Sequence, residues 1–182
     1  TYARLYNYLF IMRTYPPMIA GLLLLLFAAF GCTKSEHFIT DASYRARVEA
    51  DFKTKREAFD DSSLFAIFQT EMTTPEREAM EFLYAYMPIG DVADYDGAFY
   101  LRNVRAAFTA RREMPWGQQI PEDIFRHFVL PIRVNNENLD ESRTVFFEEL
   151  KDRVRGLSLR EAVLEVNHWC HEKVIYTPSD AR

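Results

Sequence analysis

The residues best suited to chemistry lie near the end of the 182-residue chain, in the stretch EVNHWCHEKVIYTPSDAR. This stretch places Cys170 between His168 and His171, with Glu172 next and Asp180 further on. A cysteine, a histidine and an acid are the ingredients of nucleophilic acyl transfer, in which a thiolate attacks a carbonyl carbon. Histidine and cysteine side chains are also the usual ligands of zinc. The stretch therefore raises the question of an active site or a metal site.

The spacing of this stretch predicts a helix. Ser158 followed by Glu161 has the pattern of a capping box. Apolar residues then recur at helical intervals, at Leu159, Ala162, Val163, Val166, Trp169 and Cys170. Cys170 is thus predicted on an apolar stripe near the C-terminal end of the helix, whereas a nucleophilic cysteine is usually activated at a helix N-terminus.

The same helix limits what the two histidines can do. His171 is adjacent to Cys170 and points in another direction, so it is poorly placed to take a proton from the thiol. His168 and His171 share a face at a spacing of three, but two imidazoles are too few for a zinc site, and the HExxH pattern is absent. A structural role for Cys170 is favoured, and a two-histidine metal pair and catalysis by Cys170 remain as alternatives.

The other cysteine, Cys32, closes the stretch MRTYPPMIAGLLLLLFAAFGC. Arg13 supplies a positive start, an uncharged apolar run follows, and small residues precede the cysteine, which is the layout of a secretory signal. The run is short for a membrane span, which needs about 20 residues. The end of the stretch, AAFGC, resembles the lipobox of bacterial lipoproteins, in which the cysteine is lipidated and becomes the first mature residue. A plain signal anchor or a buried core helix is the alternative.

A lipidated Cys32 divides the start of the chain into three segments. Residues 1–11 are interpreted as upstream read-through, residues 12–31 as the lipoprotein signal peptide, and residues 32–43 as a tether. The formal charge of the chain is −5 and becomes more negative after Cys32, because Arg4 and Arg13 lie upstream. This acidic balance argues against nucleic acid as a partner. With Cys32 lipidated, Cys170 is the remaining thiol and no intrachain disulfide is possible.

Apolar spacing predicts helices through residues 44–155 and into residues 156–182. The first is a charged helix with Tyr44, Val48, Phe52 and Phe59 near one stripe, and the second has Thr74 as its cap and Pro75 at its first position. Further helices are predicted at about 95–112, 121–130, 140–155 and 159–173, with 174–178 as a strand or an extended exit. No internal repeat and no glycine-rich phosphate loop is found, and no cofactor is predicted.

One polar segment, from Trp116 to Asn138, allows two interpretations. It contains His127, Arg133 and several side-chain amides between prolines. Asparagine and aspartate near turns usually bind the local backbone, which is the first interpretation. The second is a packing platform, in which Arg133 and the amides tie this segment to another part of a larger protein.

Three stretches together resemble a known family. EAMEFLYAYMP, MPWGQQIPEDIFRHFVLPIRVNNENLDESR and EAVLEVNHWCHEKVIYTPSDAR are similar to the amino-terminal half of transglutaminase-like lipoproteins of Bacteroides-type bacteria. The resemblance runs from about Ala79 to Arg182 and is most specific in HFVLPIRVNNENLD. It implies a mainly α fold, in which a helical region leads into the first helix of a papain-like α+β core that is cut off, with residues 156–182 as its start.

The resemblance also indicates which residues to expect at the site. In that family the nucleophilic cysteine follows this helix in a glycine-flanked turn, and the histidine and aspartate come later. No residue of this chain matches those positions, so no catalytic, cofactor-binding or metal-binding residue is assigned, and no activity is expected from this chain alone. A chain cut at this point is expected to leave Trp169 and Cys170 on an exposed apolar face.

Two functions from different classes follow. The favoured one is the lipid-anchored front part of a cysteine enzyme that hydrolyses or transfers peptide or amide bonds, with a peptide or protein as its substrate. The alternative is a non-enzymatic surface lipoprotein that binds a protein or glycan. Both place the chain in the cell envelope, held by a lipid on Cys32. Thr33, rather than aspartate, follows Cys32, which indicates the outer membrane.

Overall fold

The computed structural model of the protein describes residues 36–59, 62–135 and 137–173. The regular structure within these ranges is helical. No strand occurs within these ranges, which confirms the mainly helical prediction. The α-helices are α1 (Ala42–Glu57), α2 (Thr74–Tyr86), α3 (Ile89–Asp94), α4 (Gly97–Glu113), α5 (Glu122–Ile124), α6 (Ser142–Val154) and α7 (Leu159–Lys173). Two 3-10 segments (Ser62–Gln69, Gly117–Gln119) and one π-helical segment (Phe125–Val129) are also present. The predicted strand or exit at 174–178 lies outside the described residues.

Side-chain caps fix the starts of the longer helices. The carboxylate of Asp41 accepts hydrogen bonds from the backbone N–H groups of Ser43 and Tyr44, at 2.8 and 3.0 Å, and so begins α1. The cap of α2 is Thr73 and not the predicted Thr74, because the Thr73 hydroxyl and the Glu76 carboxylate each accept from the other residue's backbone N–H.

The capping box predicted at the start of α7 is confirmed. The Ser158 backbone N–H donates to the Glu161 carboxylate at 2.9 Å, and the Glu161 N–H donates to the Ser158 hydroxyl oxygen at 3.4 Å. These bonds satisfy two of the N–H groups that a helix start leaves without partners. The bounds of α7, Leu159–Lys173, are those predicted.

The region after α2 differs from its prediction. A single helix was expected from about Tyr95, but the short helix α3 precedes it, and Tyr95 and Asp96 separate α3 from α4. The Asp96 carboxylate accepts from the Ala98 N–H at 3.0 Å and starts α4. Gly97 allows a close approach there, because a Cβ atom at this position would lie 2.6 Å from the Cβ atom of Ile67.

The main hydrophobic core lies between α1, α2, α4 and the first 3-10 segment. Val48 and Phe52, predicted on the stripe of the first helix, are buried in it together with Met80, Leu83 and Val104. Aromatic rings fill much of its volume in edge-to-face contacts, which suit the ring quadrupole. The pairs include Phe68 with Tyr84, at a centroid distance of 5.1 Å, and Phe38 with Phe108, at 5.2 Å.

A buried carboxylate attaches the segment before α1 to this core. Glu78 of α2 accepts hydrogen bonds from the backbone N–H groups of Phe38 and Ile39, at 2.7 and 2.9 Å, and contacts the His37 ring. Phe38 and Ile39 are themselves buried. They belong to residues 32–43, for which a tether was predicted, so Phe38 and Ile39 of that segment pack against the helices.

A second, smaller core lies under α6 and α7. Met114, Val154 and Ala162 are buried in it, with Phe147 and Val166 packed around them. Trp169, which was expected on an exposed face, is only 4% exposed, because the Phe146 ring of α6 covers it at a centroid distance of 5.0 Å. That expectation was wrong for Trp169, since the α6 helix supplies the cover that the sheet was expected to give.

Candidate functional site

A cleft of about 230 Å³ lies where the end of α2 meets α3, α4 and the segment after the π-helical turn. Its apolar walls include Phe82, Leu83 and Met87 on one side and Ile132 and Leu139 on the other. Polar groups reach it from five separate elements of the chain, and they are Tyr86, Asp91, Tyr100, His127 and Arg133. Apolar walls with a few converging polar groups are typical of ligand-binding sites.

The turn between α2 and α3 forms one edge of the cleft. Met87 has an extended backbone, and Pro88 fixes the entry into α3, since its ring restricts φ. The Lys55 ammonium group of α1 donates to the backbone carbonyl groups of Ala85 and Met87, which lie at the C-terminal end of α2. A cation at this end also opposes the negative end of the helix dipole.

An ion pair between Asp91 and Arg133 forms the polar end of the cleft. The Arg133 Nε atom lies 2.8 Å from each carboxylate oxygen of Asp91, and its Nη2 atom lies 2.6 Å from Oδ1. The hydrogen bonds to this buried carboxylate raise the pKa of the Arg133 guanidinium. Arg133 also donates to the backbone carbonyl of Glu137.

Arg133 therefore holds two parts of this chain together. The turn after Arg133 is held by the Glu137 carboxylate, which accepts hydrogen bonds from the N–H groups of Val134 and Asn135 at 2.7 and 2.8 Å. These backbone bonds lower the pKa of Glu137. Of the two interpretations of this polar segment, local binding of the backbone is seen at Val134 and Asn135, but the side chain that binds them is the Glu137 carboxylate and not an amide. Arg133 acts as a tie, but its partner Asp91 belongs to the same helical region.

Two tyrosines complete the hydrogen bonding around the ion pair. The Tyr100 hydroxyl donates to the backbone carbonyl of Asp91 at 2.9 Å, and the Tyr95 hydroxyl oxygen accepts from the Leu139 N–H at 2.9 Å. Burial raises the pKa of Tyr100. A third tyrosine of the cleft, Tyr86, has its pKa raised to about 12 by burial and by its hydrogen bond to Asp51. The Tyr86 and Tyr100 phenols are therefore neutral at physiological pH.

The π-helical segment supplies the last wall of the cleft. The Leu130 N–H donates to the Phe125 carbonyl at 2.9 Å, a bond that spans five residues. The His127 ring lies at the cleft and packs edge-on against Phe82, at a centroid distance of 5.4 Å. The next residue, Phe128, is 78% exposed. π-Helical turns are rare and occur frequently at functional sites.

The chemistry of this cleft suits binding better than catalysis. The part of the lining that the structure describes contains no cysteine, serine or threonine that could act as a nucleophile. Asp91 is bound to Arg133, so it does not orient His127 for proton transfer. Nucleophilic catalysis needs a nucleophile and a base within hydrogen-bonding distance. The described lining offers no such pair.

The residues first considered for chemistry are placed as their helical spacing predicts. Cys170 is half-buried in α7, and His168 lies on the surface with its Nε2 atom 3.2 Å from a carboxylate oxygen of Glu172. Among the described residues, no group of three or more histidine, cysteine or acidic side chains could hold a metal ion. The structural role favoured for Cys170 fits this placement, since α7 carries it near the C-terminal end.

Two further residues lie outside the described ranges. They are Cys32, the predicted site of lipidation, and Asp180, so lipidation at Cys32 stays a prediction. The helices that the structure does describe include none with the length and apolar character needed to cross a membrane.

Comparisons with known proteins identify no relative of this chain. The chain matches no family model, and no curated protein and no solved structure is significantly similar to it. The resemblance to transglutaminase-like lipoproteins therefore remains a prediction from the residues that carry it.

Most of the cleft was missed by sequence reasoning. Arg133 and His127 were noted in the polar segment, but Asp91 and Tyr100 were not connected with them. Asp91 is 42 residues from Arg133, and a pairing at that distance leaves no local pattern. One local feature could have drawn attention to Asp91. In the sequence PIGDVAD, this acidic residue follows a turn at a proline.

Proposed function

We propose that this chain is the lipid-anchored helical front part of a transglutaminase-like cysteine enzyme that acts on peptide or amide bonds. In this proposal the helices carry the fold and help to shape the substrate cleft. The catalytic cysteine, histidine and aspartate belong to sequence beyond Arg182, as the resemblance implies. The resemblance of HFVLPIRVNNENLD and of α7 to that family is the basis of the proposal.

The structural observation that supports the proposal, beside the resemblance, is the partly uncovered apolar stripe of α7. Ala162 and Trp169 pack against α6, but Leu159 and Val163, at the edge of the same stripe, are 47% and 59% exposed. The resemblance makes α7 the first helix of the catalytic core. A core packed on this edge would bury both side chains, and each fully buried leucine or valine contributes about 1.5–3 kcal/mol.

The test is to sequence the gene downstream of the Arg182 codon. We expect the reading frame to continue into a glycine-flanked cysteine, followed by a histidine and an aspartate. A stop codon directly after Arg182 would overturn the enzyme proposal. The function would then be that of a lipoprotein without a catalytic core.

Lipid anchoring at Cys32 is tested separately. Replacing Cys32 with serine is expected to abolish incorporation of radiolabelled fatty acid and to move the chain from the membrane fraction to the soluble fraction, since the lipid is attached through the thiol. The matched control is Cys170→Ser, which should retain both label and membrane binding. Fatty-acid label that persists in Cys32→Ser, or disappears in Cys170→Ser, would contradict lipidation at Cys32.

A second candidate is a non-enzymatic envelope lipoprotein that binds a protein or glycan. The cleft at Asp91 and Arg133 favours it, because it has the polar and apolar lining of a binding site and lacks a nucleophile among the described residues. Under both proposals the chain lies at the cell envelope, on the outer membrane, and has no nucleic-acid partner.

A further inference from the structure

Only four residues separate Cys32, the predicted site of lipidation, from His37. The compact unit that contains the helices begins at His37. Because a chain spans at most about 3.3–3.6 Å per residue, the five steps from Cys32 to His37 reach no more than about 18 Å in any conformation. We propose that this short connection holds the side of the helical body around His37 against the surface of a lipid bilayer. The proposal rests on lipidation at Cys32, which is part of the proposed function.

Bonds to two helices fix the residues directly after His37, so the connection does not lengthen by releasing them. The N–H groups of the next two residues, which are buried, are bound by Glu78 of α2. The backbone N–H and the hydroxyl group of Thr40 donate to the Glu122 carboxylate of α5, at 3.0 and 2.6 Å. Detaching this segment would expose the Phe38 ring, which packs against other aromatic rings, and would leave a buried carboxylate without partners, which is costly.

The reach of this connection is short compared with the body that it carries. A compact domain of about 140 residues has a radius of gyration of about 14 Å, and hence a diameter of about 37 Å. To turn the opposite side of such a body to the membrane, the connection would have to run around half of its circumference. A connection of at most about 18 Å does not reach that far. The side that carries His37 is therefore the side next to the bilayer.

The surface hollow beside His37 suits lipid headgroups better than the hydrocarbon interior. It is lined by side chains of both charges, with Arg45 and Arg77 beside Glu49 and Glu81. None of the large apolar side chains that are exposed in the described residues lines it. Charged groups are costly to move into hydrocarbon, whereas headgroups leave them hydrated. The body therefore lies on the headgroups, and the attached lipid supplies the affinity for the membrane.

The experiment places a spin label at one of two exposed positions of the full lipidated chain. Ala46→Cys lies in the same hollow as His37, whereas Leu164→Cys lies on α7, which packs against the smaller core. Both are made in a Cys170→Ser background, so that the label has a single target thiol. The chain is reconstituted in zwitterionic nanodiscs that contain a few lipids with nickel-chelating headgroups. We expect nickel to relax the label severalfold more strongly at position 46 than at position 164 in electron paramagnetic resonance.

A longer connection is the matched control. An insertion of about 30 glycine and serine residues after Thr33 adds an average reach of about 30 Å, which allows the body to turn. We expect the difference between the two label positions to disappear in this variant. With the native connection, the difference should persist in about 1 M salt, where the Debye length is about 3 Å, because a covalent connection does not depend on charge.

Three results would overturn the proposal in a chain whose mass shows the lipid on Cys32. One is equal relaxation at the two label positions with the native connection, in variants that unfold cooperatively. Another is a difference that survives the long insertion, since the surface itself would then bind lipid. The third is loss of the difference in salt, which would show that charge sets the orientation. A mass without lipid would instead overturn anchoring at Cys32, and this inference with it, so the two failures are distinguishable.

Discussion

Replacing Glu78 with alanine is expected to lower the free energy of unfolding by about 3 kcal/mol or more. The substitution removes the acceptor for the backbone N–H groups of Phe38 and Ile39, which are buried, and the contact to His37. Each buried donor left without a partner costs about 1–3 kcal/mol. Urea unfolding followed by circular dichroism measures the loss. It is a large part of the roughly 5–15 kcal/mol that stabilises a typical domain.

The matched control is Glu81→Gln, one turn further along α2. Burial raises the pKa of the Glu81 carboxyl from its ordinary value of 4.5, and the nearby carboxylate of Glu49 adds to the effect. A raised pKa means that the folded state binds the proton more tightly, so this group's stabilisation is present below pH 4.5 and is lost as pH rises through the raised pKa. At neutral pH, Glu81→Gln should therefore leave stability unchanged or slightly higher. Equal losses in both variants would show that Glu78 has no special anchoring role.

Replacing Gly117 with alanine is expected to destabilise the protein by about 3 kcal/mol, at the upper end of the cost of overpacking. A Cβ atom at this position would lie 2.1 Å from the backbone oxygen of Arg111 and 2.8 Å from its carbonyl carbon. The obstacle is the last part of α4, which cannot move as a flexible side chain can. The shift would also disturb Phe125, since the Arg111 guanidinium lies 4.5 Å from the centre of that ring.

Gly156→Ala is the control for this substitution. No atom lies within 4 Å of a Cβ atom built at Gly156, and its φ angle is not positive. The alanine is therefore expected to raise the free energy of unfolding by about 0.4–1 kcal/mol, through the lower entropy of the unfolded chain. Urea midpoints that fall by the same amount in both variants would contradict the assigned clash.

The longer helices could be predicted from the sequence because their signals are local. The Ser158 and Glu161 capping box and the apolar spacing after it define α7 without any tertiary information. The cap of α2 was placed one residue late, since Thr73 and Thr74 are adjacent and only Thr73 is three residues before Glu76. α3 was missed because it is six residues long and contains Gly90.

The tertiary ties could not be predicted in the same way. The bonds of Glu78 to Phe38 and Ile39 span about forty residues, and the position of Glu78 on the apolar side of α2 looks unfavourable until its partners are known. The same holds for Asp91 and Arg133. The family resemblance predicted where the catalytic residues should lie. It made no prediction about the cleft, because the cleft is built from contacts within this chain.

α6 and α7 share a small core that also includes Met114, at the end of α4. Surface ion pairs hold them to each other, among them Arg153 with Glu165 at 2.6 Å and Lys173 with Glu149 at 2.9 Å. Exposed pairs of this kind contribute only about 0–1 kcal/mol each and weaken in salt. These pairs therefore add little to the packing of α6 against α7, which depends on the small core. Because Met114 of that core lies at the end of α4, the position of α7 relative to α4 is set by a few buried side chains and not by surface charge.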